Sequence, residues 1–129
     1  MPQIRMKHID GIGRRKVSDA VSAFLRRCRL KNLSTRTQEY YKEDLNHFCV
    51  LMPHIQYVDE ITQETLDAFI IQEMERNNRV TSINARLRGL YAFLHFCFEQ
   101  EYAEAFTLSL LKEDEGVQRP LAKTPKPSP

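Results

Sequence analysis

Residues 32–48, NLSTRTQEYYKEDLNHF, and residues 80–98, VTSINARLRGLYAFLHFCF, decide how this chain folds. Each opens on hydroxyl residues, carries arginine in its first turns and then settles into apolar positions at helical spacing. In the first, Ser34 is placed to cap a helix, and Thr37, Tyr41, Leu45, Phe48 and Met52 recur on one face until Pro53 forbids continuation. In the second, Val80, Ile83, Leu87, Leu90, Tyr91, Leu94 and Phe98 form the clearest stripe of the chain. With those residues inward, Arg36, Glu39, Tyr40 and Glu43 face out from the first helix. Thr81, Ala85 and Arg88 face out from the second, with Ser82, Arg86 and Gly89 flanking them. Backbone N–H groups at a helix start attract phosphate, and small residues such as Ala85 and Gly89 permit close approach to a groove. Two such helices in one small domain suit the gripping of a nucleic-acid duplex. A plain solvated amphipathic helix is the competing reading, and Glu39 and Glu43 argue against a purely electrostatic grip.

Working outward, Ser18 is expected to cap an earlier helix with Val21, Phe24, Leu25 and Cys28 inward, ending near Lys31. The basic residues Arg26, Arg27, Arg29 and Lys31 lie in its last turns, where the helix dipole favours cations, so they do not by themselves indicate DNA. Thr62 is expected to cap a helix reaching about Arg76, with Leu66, Phe69, Ile70 and Met74 inward and Asn77 and Asn78 marking its end. A short final helix is expected over residues 105–111. The spacing therefore predicts an all-α fold, a small orthogonal bundle of four main helices plus that short C-terminal helix. Residues 1–16 read as a flexible basic arm, 17–112 as the folded domain and 113–129, with Pro120, Pro125, Pro127 and Pro129, as a Pro-rich linker.

A chain of 129 residues with a formal charge of +2 fits one domain, and so small a net charge does not mark a nucleic-acid binder. The distribution says more. Up to Arg36 only Asp10 and Asp19 oppose a long run of lysines and arginines, and between Glu75 and Glu99 there are four arginines and no carboxylate. Cys28, Cys49 and Cys97 are odd in number and widely spaced, which excludes a disulfide framework and a zinc knuckle; each lies in an apolar-periodic segment and is expected to be a buried thiol in a reducing, cytoplasmic compartment. No membrane-length apolar run and no signal-peptide core occur. His8, His47, His54 and His95 are scattered, no Gly-rich phosphate loop is present, and Glu113, Asp114 and Glu115 read as a solvated run, so no catalytic constellation, cofactor site or metal site is expected.

The spacing Leu33-Ser34-x-x-Thr37-x-x-x-Tyr41-x-x-Asp44-Leu45-x-x-Phe48 resembles the second-helix signature of the tyrosine recombinases, the phage-integrase family. Glu60-Ile61-Thr62 before Leu66 matches the start of that family's third helix. Ser82-Ile83-Asn84-x-Arg86-Leu87-x-x-Leu90-x-x-Phe93 is similar to its fourth-helix signature. The resemblance covers about 17–102. It implies a SAM-like core-binding domain, half of a clamp whose second and fourth helices lie over the major groove near the exchanged strands. Carried across by position, the DNA-binding residues are Arg36, Thr37, Tyr40, Thr81, Ser82, Ala85, Arg86, Arg88 and Gly89, although Thr37 also sits where it can serve the fold. The implied partners are double-stranded DNA, the catalytic domain of the same recombinase, and further copies assembled on DNA, with no membrane. The implied setting is a bacterial cytoplasm and nucleoid.

Two departures stand out. The family's usual Asn-Pro after the fourth helix is replaced by Tyr102-Ala103-Glu104-Ala105. The arginine, His-x-x-Arg and nucleophilic tyrosine of its catalytic half are not among these residues, so no catalysis is expected of the chain itself. It reads as a fragment of a larger recombinase. The rival readings are a helix-turn-helix regulator, for which the connectors near Pro53 and Asn77 offer no clear short turn, and a helical protein–protein module whose arginines meet an acidic partner.

Overall fold

A computed structural model describes residues 14–113. It contains helices α1 (Val17–Leu30), α2 (Thr35–Leu51), α3 (Gln63–Glu75) and α4 (Val80–Glu99), with a 3-10 turn at Val58–Glu60 before α3. Among the described residues the only β-type pairing is an isolated antiparallel bridge between Lys16 and Tyr57. The expectations for 1–13 and 114–129 lie outside the described residues.

Local chemistry explains where the helices begin and stop. Ser34 caps α2 as its spacing predicts, its Oγ accepting from the Thr37 amide at 3.1 Å. Thr62 caps α3 reciprocally with Thr65: the Thr65 amide reaches Thr62 Oγ1 at 3.4 Å and the Thr62 amide reaches Thr65 Oγ1 at 3.1 Å. Asn32, Asn77 and Glu101 take positive φ angles of 60°, 64° and 61° just past α1, α3 and α4. At each, two amides fold back onto the helix: Leu33 onto Cys28 O at 3.1 Å, Asn78 onto Glu73 O at 3.1 Å and Tyr102 onto Cys97 O at 2.9 Å are the longer-range of the pairs. This is the Schellman arrangement, and asparagine fits its left-handed residue better than most side chains do.

The core is a slab of aromatic and aliphatic side chains to which every helix contributes. Phe24 of α1 sits against Tyr41, Phe93 and Phe96, with ring centroids 5.3, 5.7 and 5.6 Å apart. Phe48 of α2 meets Phe69 of α3 at 5.4 Å. Leu66, Ile83, Leu87, Leu90 and Leu94 are sealed from solvent beside them. The stripes of α2 and α4 therefore hold as read, with Tyr41 and Phe98 at the edge of the core rather than within it.

Five expectations are corrected. α1 starts one residue before Ser18, with Lys16 at the N-cap and no side-chain cap; its buried residues are Val17, Ala20, Phe24 and Cys28, leaving Val21 and Leu25 at the margin. The start is set instead by chain pairing, the Val17 amide donating to Gln56 O at 2.8 Å and Val58 to Arg15 O at 2.9 Å. Residues 14–16 are consequently part of the domain rather than of a free arm, and Arg14 is locked to Asp59 by bonds of 2.7 and 3.0 Å while its guanidinium covers Tyr57. On α3, Glu73 occupies the inward position and Met74 is 46% exposed. Cys28 and Cys97 are buried but Cys49 is exposed, because it lies off the Leu45–Phe48–Met52 face. Finally, residues 105–111 form no helix: residues 104–113 run extended along α4.

That extended strap is held by side chains of α4. Asn84, 1% exposed, pairs with the backbone of Leu111 in both directions, donating from Nδ2 to O at 2.9 Å and accepting at Oδ1 from N at 2.8 Å. Asn84 Nδ2 also donates to Glu113 at 2.9 Å, and the Tyr91 hydroxyl donates to Ser109 O at 2.7 Å. Phe106 packs on Phe98 with centroids 5.4 Å apart. A helix over the same residues would have withdrawn these carbonyls and amides from α4, so side-chain pairing decides the conformation against local propensity.

Candidate nucleic-acid interface

Thr81, Ala85 and Arg88 are exposed along one line of α4, with Ser82 exposed beside them. The first turn of α4 has Arg79 at the N-cap and no side-chain cap, whereas α2 and α3 spend Ser34 and Thr62 on theirs. Its leading N–H groups are accordingly left to meet solvent or a ligand.

On one side of this line stands α2. Tyr41 shares a surface groove with Ala92, His95 and Phe96; Asp44 backs onto Gly89; His47 approaches Arg86 through Glu73. The residue numbers rise on one helix as they fall on the other, so α2 and α4 run in opposite senses. Their two N-terminal turns, read from the sequence as a pair, thus lie at opposite ends of the shared face. At the α2 end Arg36 and Tyr40 are exposed and coupled, Arg36 Nε donating to the Tyr40 hydroxyl at 3.0 Å with its charge 5.5 Å from the ring centroid. Thr37 is half-buried and its hydroxyl accepts from Ser34 Oγ at 2.9 Å, which gives it a part in the cap.

Two of the residues expected at the surface are turned inward. Gly89 is buried rather than flanking an open face: a Cβ there would overlap the Asp44 carboxylate, so glycine is what lets α2 and α4 come so close. Arg86 is a third exposed and bound to Glu73, its Nη1 lying 2.5 Å from Oε1.

Glu73 was not foreseen as a site residue. It has no exposed surface, and it gathers three elements: Arg86 from α4, His47 Nε2 from α2 at 2.6 Å, and Asn78 Nδ2 from the α3–α4 connector at 3.0 Å. Burial pushes its carboxyl up, but the hydrogen bonds from His47 and Arg86 and their charges outweigh burial and hold it below its ordinary value. Asp44 has no such bonds; burial lifts its carboxyl to about 6, with Arg86 and His47 pulling down and Glu43 pushing up. The available signal for Glu73 was its place seven residues after Leu66 on an otherwise apolar stripe. Asn84, also missed as a clamp, lies immediately beside the stripe residue Ile83.

The groove that Tyr41 shares with Ala92 lies where α1, α2 and α4 meet, floored by Phe24, Tyr41 and Phe96 and rimmed by Arg27, Lys31 and His95. Glu99 shares that rim and sits 3.9 Å from Arg27, which answers part of its charge. Among the described residues no group of three or more His, Cys, Asp or Glu side chains could hold a metal ion, and no helix is long and apolar enough to cross a membrane.

Compared with known proteins, residues 9–100 match the family model described as phage integrase, N-terminal SAM-like domain. No curated protein and no solved structure gives a significant match.

Proposed function

The chain belongs to the phage integrase N-terminal SAM-like domain family, and on that premise we propose that it is the core-binding domain of a site-specific tyrosine recombinase, holding duplex DNA near the exchanged strands. The observation that carries the reading is the exposed line Thr81, Ala85 and Arg88 beside an uncapped first turn, in a stretch without carboxylates from 76 to 98. Small residues let the α4 backbone approach a groove, the turn offers N–H groups and hydroxyls to phosphate, and Arg88 reaches base edges or phosphate. Arg36 and Tyr40 serve the α2 end of the same duplex, the arginine held by its hydroxyl partner. Arg86 and Gly89 support this face from behind. Strand cleavage in this reading belongs to a catalytic domain of the parent recombinase, with copies assembling on the DNA.

The α3–α4 connector, residues 76–79, is as short as a helix-turn-helix needs, so its length does not disfavour that rival as the sequence reading supposed. The family match favours the recombinase. The protein–protein reading draws support from Ile71 and Met74, 53% and 46% exposed on α3.

Fluorescence anisotropy with a labelled duplex, measured across a salt series, tests the proposal. Affinity is expected to be weak and to fall with salt at roughly 0.9 log units per log unit for each phosphate contacted. Binding that ignores salt, or no binding at low salt, would overturn it and leave the interaction module as the better account.

A further inference from the structure

We infer that Glu73 is a positioning residue for the DNA-facing surface: it draws the Arg86 guanidinium into the α2–α3–α4 junction, so that Arg86 braces the two DNA-facing helices and Arg88 is the arginine of that pair that meets the duplex. The inference deepens the proposed function and rests on it for the duplex, but its structural half stands on contacts within the protein. Arg86 and Arg88 are two residues apart on α4 and so point about 200° apart around its axis. One of them is exposed and the other faces a carboxylate with no surface of its own.

The charges around Arg86 are unequal in a way that fixes its direction. Glu73 lies 2.5 Å away, half-buried Asp44 approaches from α2, and His47 shares the Glu73 carboxylate. A guanidinium leaving this nest for a phosphate would strand the buried Glu73 with only His47 and Asn78 as partners. Taking the arginine from a fully buried carboxylate is costlier than rearranging a surface contact, so the arginine stays. The brace also joins the helices it lies between: α2 through His47, α3 through Glu73 itself, α4 through Arg86, and their connector through Asn78. Its role in binding is therefore to fix the spacing between Arg36 on α2 and Arg88 on α4.

The salt dependence of duplex binding distinguishes a brace from a contact. Arg88→Gln is expected to keep the wild-type melting temperature and to lower the salt slope by about 0.9, which makes affinity about 3-fold less sensitive between roughly 50 and 200 mM salt. Arg86→Gln is expected to lower the melting temperature and leave the slope where it was. The double variant Glu73→Gln with Asp44→Asn removes both internal partners and is expected to steepen the slope by about 0.9, as the released arginine finds a phosphate. A slope that drops with Arg86→Gln, or that does not steepen in the folded double variant, overturns the inference.

Wild-type protein supplies the measurement that no folding defect can spoil. In nitrogen–proton spectra the side-chain N–H signals of Arg86 should exchange slowly without DNA and stay in place when duplex is added, while those of Arg88 move. Rapid exchange for Arg86 without DNA refutes the brace. If no variant and no wild-type protein binds duplex, the proposed function fails, and the exchange experiment still decides the position of Arg86.

Discussion

Replacing Asn84 by alanine isolates what the strap contributes. The side chain is 1% exposed and makes three hydrogen bonds to residues 111 and 113, two of them to the Leu111 backbone. At a net worth of about 0.5–1.5 kcal/mol each, their loss amounts to about 1.5–4.5 kcal/mol. Release of the strap offsets part of this, because freed backbone groups rehydrate and regain conformational freedom. It also exposes Phe106, Leu108 and Leu111, which are partly buried against the core. A net destabilisation of about 2 kcal/mol corresponds to roughly 8–16 °C for a domain of this size. Asn84→Asp should be worse near neutral pH, since it sets a carboxylate against the Leu111 carbonyl and the Glu113 carboxylate that Nδ2 now serves. Thermal melts give the magnitude, and amide hydrogen exchange at Leu111 gives the cause. An Asn84→Ala protein that melts within about 2 °C of wild type and keeps Leu111 protected would show that packing, not the asparagine, holds the strap.

The remaining expectations are briefer. Phe48→Ala or Leu87→Ala should cost about 2–5 kcal/mol, read from urea unfolding, because both side chains are enclosed at the centre of the core; an unchanged midpoint would place them on the wrong faces. Asp44→Asn should raise the melting temperature near pH 7.5 and do little near pH 4. The Asp44 carboxyl is lifted from 3.8 to about 6, so its favourable contribution is complete below pH 3.8 and is lost as pH rises through about 6. Glu73 has the opposite sign: its depressed carboxyl stabilises the fold above pH 4.5, and that contribution disappears as pH falls through its lower folded value, which acid titration of Glu73→Gln against wild type should reveal. Arg88→Ala should leave the melt intact and weaken duplex binding by about 1–3 kcal/mol if it reads a base; unchanged affinity and salt slope would remove α4 from the interface.

Much of the architecture was legible because it depends on short-range rules. Ser34 and Thr62 cap their helices through hydrogen bonds that span only three residues, and the α2 and α4 stripes repeat often enough to fix which side is inward. The reading failed where distant residues outvote local pattern. Met74 and Glu73 are neighbours on α3, and apolarity favoured the first; only the positions of His47 and Arg86, 26 and 13 residues away, make the carboxylate the inward one. Gly89 read as an opening for DNA because a missing side chain looks the same whether a duplex or Asp44 fills the space. The strap read as a helix because nothing within 105–111 announces that Asn84, 27 residues earlier, will claim the Leu111 backbone. Arg36, Tyr40, Thr81, Ser82, Ala85 and Arg88 lie at the surface as expected, since exposure follows directly from the stripe's phase.

If α2 and α4 grip a duplex as proposed, their opposed course sets the size of the footprint. From Thr81 to His95, the stretch of α4 that separates its own first turn from the α2 end, a helix rises about 21 Å. Base pairs stack every 3.4 Å, so the two grips stand about six base pairs apart, well short of the roughly 34 Å of a full turn of duplex. On that spacing, a duplex much shorter than six base pairs should engage one helix or the other but not both.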